Sequence, residues 1–247
     1  MSVSVRVHEG TGPTLVYLPG LHGDWGLIGA FRRALGSKVR FVEFSYTKDP
    51  VALEALAGAV RAKLDEAGIG SGWLLLQSFG SQVGWSLVEQ GFQAEGVILA
   101  GGFVRHPWPW GVSLFRAILS VPPGVIRPAY SAYTKLCNAL SRRKPEEAAE
   151  LMEFAAKRGP ADWRAAAWRL KLIAGSDPRA VARRTTVPVY YLGGGIDPLV
   201  PWRIVTRWLK RECPGYKGET VFPAADHNVL GSAPRESAGR VLDWLGA

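Results

Sequence analysis

The feature that most constrains the fold of this chain is the alternation of short apolar runs with helical stretches. Runs that fit strands are Leu15 to Leu18, Val39 to Phe44, Trp73 to Gln77, Val97 to Ala100, Val189 to Leu192 and Thr220 to Phe222. Most are apolar at consecutive positions and short, as strands covered on both faces are. Val3, Val5 and Val7 alternate with polar residues, as in a half-buried strand. Between the runs lie helical patterns. Asp49 is placed to cap a helix opened by Pro50, in which Leu53, Leu56, Val60 and Leu64 share one face until Gly68 stops it. Pro201 opens another, with Ile204, Val205, Trp208 and Leu209 inward, and Ser232 is placed to cap a last helix presenting Val241, Leu242 and Leu245. Strands alternating with helices predict an α/β fold, a mostly parallel central sheet with helices on both faces.

The alternation stops between Val104 and Thr186, where helical stretches are broken by prolines such as Pro107, Pro122, Pro145 and Pro160. The expected division is a core of residues 1–103 and 187–247 with a helical cap inserted over 104–186. Glu146 and Glu147 early in one cap segment and Lys157 late in it suit a helix dipole. A length of 247 residues fits one large domain, and no fixed-period repeat points to a solenoid or propeller.

Several function classes are disfavoured. The longest apolar runs, Trp73 to Leu76 and Val97 to Ala100, fall far short of the roughly 20 residues that cross a bilayer, so no integral membrane span is expected. The N-terminus lacks the basic start and apolar core of a signal peptide. Cys137 and Cys213 are too few for a disulfide framework or a zinc quartet and read as reduced thiols of a cytoplasmic protein. The formal net charge is +9 and there are ten tryptophans, a pairing that raises nucleic acid as a partner. Yet the densest basic clusters, Arg142-Arg143-Lys144 and Arg183-Arg184, are short and lie in or beside the cap, so no nucleic-acid partner is expected. Gly193-Gly194-Gly195 is not followed by the Gly-Lys-Ser/Thr of a phosphate loop, and no His-Glu-x-x-His or Cys-x-x-Cys spacing occurs. Neither a metal nor a cofactor is expected.

The residues that carry chemistry begin with Leu74-Leu75-Leu76-Gln77-Ser78-Phe79-Gly80, where an apolar strand runs through a serine into a helix. This resembles a nucleophile elbow, in which a sharp turn exposes the hydroxyl at the carboxyl edge of the sheet. A serine nucleophile needs a base, and the base needs an orienting carboxylate. His227, in a polar loop between the last strand and the last helix, is the candidate base. Asp197, directly after the strand Val189 to Leu192, is the candidate acid, with Asp226, adjacent to His227, as its rival. The turn Pro19-Gly20-Leu21-His22-Gly23-Asp24 offers one oxyanion donor: the N–H of Leu21 if Pro19-Gly20 leads the motif, that of Asp24 if His22-Gly23 does. Leu21 is preferred because Pro19 ends the strand, and the N–H of Phe79 is the second donor. His22 is read as a pocket residue. Phe103, Trp108 and Trp110 are read either as a lid lining a substrate pocket or as packing of the cap. A lid touching a membrane surface is a third reading, since tryptophan mixed with arginine and lysine suits an interface.

The chain order Ser78, Asp197, His227, with Pro19-Gly20-Leu21, Gln77-Ser78-Phe79-Gly80 and Gly101-Gly102-Phe103-Val104-Arg105, resembles the α/β-hydrolase superfamily in its esterase-like serine hydrolase branch. The resemblance covers about residues 12–245 and implies esterase activity on a small-molecule ester. Leu76 and Ser81 depart from it, standing where a small residue and a second glycine are common. Two function classes follow. One is a cofactor-free hydrolase cleaving a carboxylic ester or thioester of a small to medium apolar acid through an acyl-enzyme. The other, favoured by Leu76, is a non-catalytic scaffold binding a hydrophobic ligand or a protein. A basic, aromatic cap over the serine suggests a preference for anionic or amphipathic esters.

Overall fold

In the computed structural model of the protein, residues 3–119, 123–141 and 143–247 are described. The run Leu15 to Leu18 is buried at every position and forms strand β2 (Thr14–Leu18), the burial a strand shows when both faces of its sheet are covered. Its neighbours are β3 (Arg40–Ser45) and β4 (Ser71–Gln77), both parallel to it. Among the described residues one seven-stranded sheet is completed by β1 (Ser4–His8), β5 (Gln93–Ala100), β6 (Val189–Gly194) and β7 (Tyr216–Phe222), in the order β1-β3-β2-β4-β5-β6-β7. All pairings are parallel except that of β1 with β3. The predicted α/β class is therefore the observed one.

The period of two along each strand sorts the core into two layers. Val16, Leu18, Leu74, Leu76 and Leu99 point to one face. They pack there against α2 (Leu53–Glu66), α3 (Gly80–Glu89) and α9 (Trp202–Glu212). Leu15, Tyr17, Phe41, Leu75 and Ile98 point to the other, against α1 (Gly29–Leu35) and α11 (Pro234–Leu245). Helices on both faces leave the carboxyl edge of the parallel strands as the open rim.

Three helix starts differ from the sequence expectation. Helix α2 begins at Leu53 with Ala52 as its cap, because the Asp49 carboxylate instead accepts a 2.8 Å hydrogen bond from the Thr47 hydroxyl. In α9 Pro201 is the cap rather than the first helical residue. The phase of that helix buries Val205, Thr206 and Leu209 and leaves Ile204 exposed. Ser232 closes the short helix α10 (Val229–Ser232), its hydroxyl donating to the Asn228 carbonyl, while Ala233 stands at the start of α11.

Between β5 and β6 the chain forms α4 (Pro109–Leu119), α5 (Pro123–Leu140), α6 (Pro145–Ala156), α7 (Pro160–Gly175) and α8 (Arg179–Arg184). Proline opens four of these helices, where its missing N–H costs nothing. Helix α4 packs on α7, α5 on α6, and α8 returns to α3. The Trp168 indole of α7 donates to the Val51 carbonyl at 2.8 Å, tying this region to the core. Among the described residues no helix is long and apolar enough to cross a membrane.

Candidate active site

Ser78 follows β4 and precedes α3, and among the described residues it is the non-glycine with a positive φ, 48°. A left-handed serine is strained by about 1–3 kcal/mol, and such strain collects at functional turns. Backbone packing makes the turn this tight. A Cβ at Gly80 would stand 2.1 Å from the Leu18 carbonyl oxygen, so α3 approaches β2 through a residue without one. The Ser81 hydroxyl donates to the Ser78 carbonyl at 2.6 Å and accepts the Phe103 N–H at 3.2 Å, bonds a second glycine at that position would lack.

The other departure, Leu76, is accommodated one helical turn into α3. Its methyls fill the space above Gly84, where a Cβ would meet Leu76 Cδ2 at 2.4 Å. Bulk that the familiar pattern forbids on the strand is thus removed from the helix. Gly84→Ala is accordingly expected to destabilise the fold by about 1–3 kcal/mol through overpacking. A Leu76→Val/Gly84→Ala double variant should lose less than the sum of the single losses. Urea unfolding of the four proteins measures both, and simple additivity would refute the pairing.

His227, in the loop between β7 and α10, lies with Nε2 2.9 Å from Ser78 Oγ and Nδ1 2.8 Å from Asp197 Oδ2. The Asp197 side chain is fully buried. Its second oxygen, Oδ1, accepts the N–H groups of Leu199 at 2.8 Å and Val200 at 2.9 Å, which orient the carboxylate toward the imidazole. Burial pulls the His227 imidazole down, but the charge and hydrogen bond of Asp197, with Asp226 adding, outweigh it and hold the imidazole above its ordinary value. The three side chains picked out in the sequence are thus brought into one hydrogen-bonded line.

The rival acid is turned elsewhere. Asp226 accepts from Arg143 Nη2 at 2.6 Å and from the Asn228 N–H at 2.9 Å, and Arg143 also reaches the Gly231 carbonyl at 2.7 Å. This buried pair fastens the connection between α5 and α6 to the loop that carries His227. Gln77 fastens the same loop from the sheet side: it accepts from the Tyr17 hydroxyl and donates to Asn228 Oδ1 at 2.7 Å. Sequence reasoning assigned no role to Gln77, Asn228 or Arg143. Their only local signal was a polar side chain next to a site residue or in a basic cluster.

The backbone N–H groups of Leu21 and Phe79 make no hydrogen bond among the described residues. A Cβ at Gly20 would be 3.4 Å from Ser78 Cβ, so the turn bearing Leu21 runs beside the serine. Arg169 of α7 holds that turn, donating to the carbonyls of Leu21 at 2.7 Å and Thr47 at 2.8 Å. At the alternative position, the Asp24 carboxylate accepts from the Gly26 N–H and from Arg158.

Ser78 and His227 open into a cavity of about 540 Å³ whose walls are mainly apolar. Leu21, His22, Phe103, Trp108 and Trp110 all line it. Phe103 is buried there with its ring 4.8 Å from that of His106. Trp108 and Trp110 stack at 6.0 Å on the rim, with Trp110 mostly exposed. His22 hydrogen-bonds through Nε2 to the Tyr130 hydroxyl at 3.0 Å, and burial followed by the nearby Arg158 lowers it to about 4. Burial, then the charge of His227, lowers His106 likewise to about 4. Among the described residues the cationic side chain in the wall is Arg143, already paired with Asp226.

No protein-family model and no curated protein sequence matches the chain. Solved structures do match. A hydrolase from Pseudomonas aeruginosa PA01 is similar with a TM-score of 0.82 and 18% identity, covering 99% of this chain and 94% of its own. The enol-lactonase from Burkholderia xenovorans LB400 has the same TM-score, 0.82, and 18% identity over 99% and 96% of the two chains. An esterase from Exiguobacterium antarcticum has a TM-score of 0.80 at 12% identity, again over 99% and 96%. With its mostly parallel seven-stranded sheet, its strand-to-helix turn at Ser78 and these whole-chain similarities, the chain has the α/β-hydrolase fold.

Proposed function

We infer that the protein is a serine hydrolase cleaving a carboxylic ester or thioester of a small to medium apolar acid. The observation that carries this reading is the unbroken line from Ser78 Oγ through the His227 imidazole to Asp197, with contacts of 2.9 and 2.8 Å, at the floor of an apolar cavity. In the proposed reaction His227 Nε2 takes the Ser78 proton as Oγ attacks the ester carbonyl. The N–H groups of Leu21 and Phe79 hold the negative oxygen of the tetrahedral intermediate. His227 then protonates the leaving alcohol or thiol, and Asp197 stabilises the imidazolium. His227 then takes a proton from water as the water oxygen attacks the acyl carbonyl, the bond to Ser78 Oγ breaks to release the acid, and His227 returns the proton to Oγ. Residues 104–186 act as a cap whose inner face receives the acyl group beside Phe103 and Trp108, with Trp110 at the rim. Arg143 is neutralised by Asp226, so the wall offers an acidic acyl group no unpaired cation among the described residues. An uncharged acyl chain suits it better than the anionic one that composition alone suggests. Free Cys137 and Cys213 suit a cytoplasmic setting.

Incubation with a fluorophosphonate probe and mapping of the labelled residue tests the reading. Labelling of Ser78 together with turnover of nitrophenyl esters is expected. An unlabelled Ser78 with no turnover from short to long esters would leave a binding scaffold instead.

The pH dependence has a definite sign. His227 accepts a proton only when neutral, and its pKa lies above the ordinary histidine value of 6.5. The rate constant kcat/KM should therefore rise with pH through a single midpoint above 6.5. His22 and His106, both lowered to about 4, are already neutral there and add no second limb. A pH–rate profile with its midpoint below the ordinary histidine value would contradict the assignment of the base.

A further inference from the structure

Helix α7 presents Ala166, Leu170 and Ile173 to the cavity, but Arg169 on the same helix is not part of that wall. Only 4% exposed, it sends its guanidinium into the turn before α1, where it donates to the Leu21 carbonyl at 2.7 Å and the Thr47 carbonyl at 2.8 Å. Gly23 makes room for it. At φ 74° this residue has no Cβ, and one placed there would stand 2.5 Å from the guanidinium carbon. The Gly23 N–H donates to the Gly20 carbonyl at 2.9 Å, and the Gly23 carbonyl accepts the Tyr46 N–H at 2.7 Å. In a planar trans peptide the C=O and N–H point opposite ways, so holding the Gly20 carbonyl inside the turn directs the Leu21 N–H out of it. Arg169 fixes the next carbonyl along.

A buried charge is normally paired, yet among the described residues the hydrogen-bond partners of Arg169 are two neutral carbonyls. The acids whose charge reaches it, Asp24 and Asp162, are bound by Arg158, and Asp162 by Lys48 as well. Burial lowers its pKa from the ordinary arginine value, although a guanidinium keeps its proton at any working pH. The cation therefore bears a desolvation cost with no carboxylate in contact. Negative charge arising nearby offsets that cost, and the proposed reaction creates such a charge at the Leu21 N–H. A positive charge fixed before the reaction favours the anionic intermediate over the neutral ester, so its effect falls on kcat and not on KM.

We propose that Arg169 is a positioning residue of the oxyanion hole: it fixes the turn that carries the Leu21 N–H and holds behind it a buried positive charge that stabilises the tetrahedral intermediate. This rests on the serine hydrolase reading and deepens it, since the helix that walls the cavity also sets the electrostatics of the reacting oxygen.

Arg169→Gln keeps a donor for one carbonyl and loses the charge. Expressed per Ser78 titrated with a fluorophosphonate, its kcat should fall about 10–100-fold with KM within about twofold of the parent, approaching the loss seen when an oxyanion donor itself is removed. Two inhibitors separate charge from shape. An alkylboronic acid adds Ser78 Oγ to boron while the serine proton passes to His227, leaving a tetrahedral anion, and its affinity should fall by the same factor as kcat. The alkylamide of equal chain length stays neutral, and its affinity should hold. Arg169→Lys, which keeps the charge, should lie between the parent and the Gln variant in both kcat and boronate affinity. If Arg169→Gln is poorly folded, Arg169→Met, of similar length, should show the same loss toward the boronate and not toward the amide. A kcat within about threefold of the parent in Arg169→Gln overturns the proposal. So do boronate and amide affinities that fall together, or a Lys variant no better than the Gln variant, either of which would reduce Arg169 to a structural tie. All of these failures leave Ser78 labelled in the parent, whereas an unlabelled parent would defeat the hydrolase reading itself.

Discussion

Ser78→Ala is expected to lower kcat toward nitrophenyl esters by about 10⁴–10⁶-fold while leaving KM nearly unchanged. The substitution removes the oxygen that forms the acyl-enzyme. It leaves the cavity, the His227–Asp197 pair and the N–H groups of Leu21 and Phe79 in place. Residual rate would come from binding and oxyanion stabilisation alone. The fold should tolerate the change, because Ser78 is held by its backbone, with its N–H donating to the Ala100 carbonyl at 3.2 Å and its carbonyl accepting from Ser81. Ser78→Gly separates strain from chemistry. At φ 48° glycine escapes the left-handed penalty of about 1–3 kcal/mol and adds a backbone entropy cost of about 0.5–1 kcal/mol. The glycine variant should therefore be as inactive as the alanine variant and at least as stable as the parent in urea. Turnover within tenfold of the parent in either variant would remove Ser78 from the mechanism.

How far this site was legible in the sequence depends on the range of the interaction concerned. Strand positions such as Leu15 to Leu18 and Leu74 to Leu76 announce themselves through their own apolarity, and the sheet buries them as that apolarity requires. Ser78, Asp197 and His227 each follow a strand, so a parallel sheet brings them to one edge whatever the details of packing. Helix starts are less legible, because a good capping residue is useful only if its side chain is not taken up locally. Asp49 is held by Thr47, and Ser232 by Asn228 and the Asp226 N–H. Least legible are pairings across the fold. The Leu76 departure became interpretable only with Gly84 facing it. Arg143 stands in a short basic cluster of the sequence, and only the fold sets it against Asp226, 83 residues away. Ile204 and Val205 are equally apolar, and only the rotation of α9 on the sheet decides which of them is buried.

The two aspartates around His227 should fail in opposite ways when each is replaced by asparagine. Asp197→Asn keeps an oxygen for the Leu199 and Val200 N–H groups but turns an amide toward His227 Nδ1. An amide donates where the carboxylate accepted, so the neutral imidazole is driven to carry its proton on Nε2, facing Ser78, and no longer accepts from it. A loss of about 10⁴-fold in kcat with little change in Tm is expected. The acid limb of the pH profile should also move down, since the charge and hydrogen bond that raise His227 are gone. Asp226→Asn acts on stability instead. Arg143 and Asp226 have side chains only 1% and 5% exposed, and removing one charge of a buried pair leaves the other uncompensated at a cost of about 3–5 kcal/mol. Its kcat, measured well below the lowered Tm, should fall far less than that of Asp197→Asn, because Asp226 touches the loop and not the imidazole. Thermal unfolding and ester kinetics on the two variants give four numbers. The reverse pattern, a catalytic collapse in Asp226→Asn with a stable and active Asp197→Asn, would exchange the roles of the two acids.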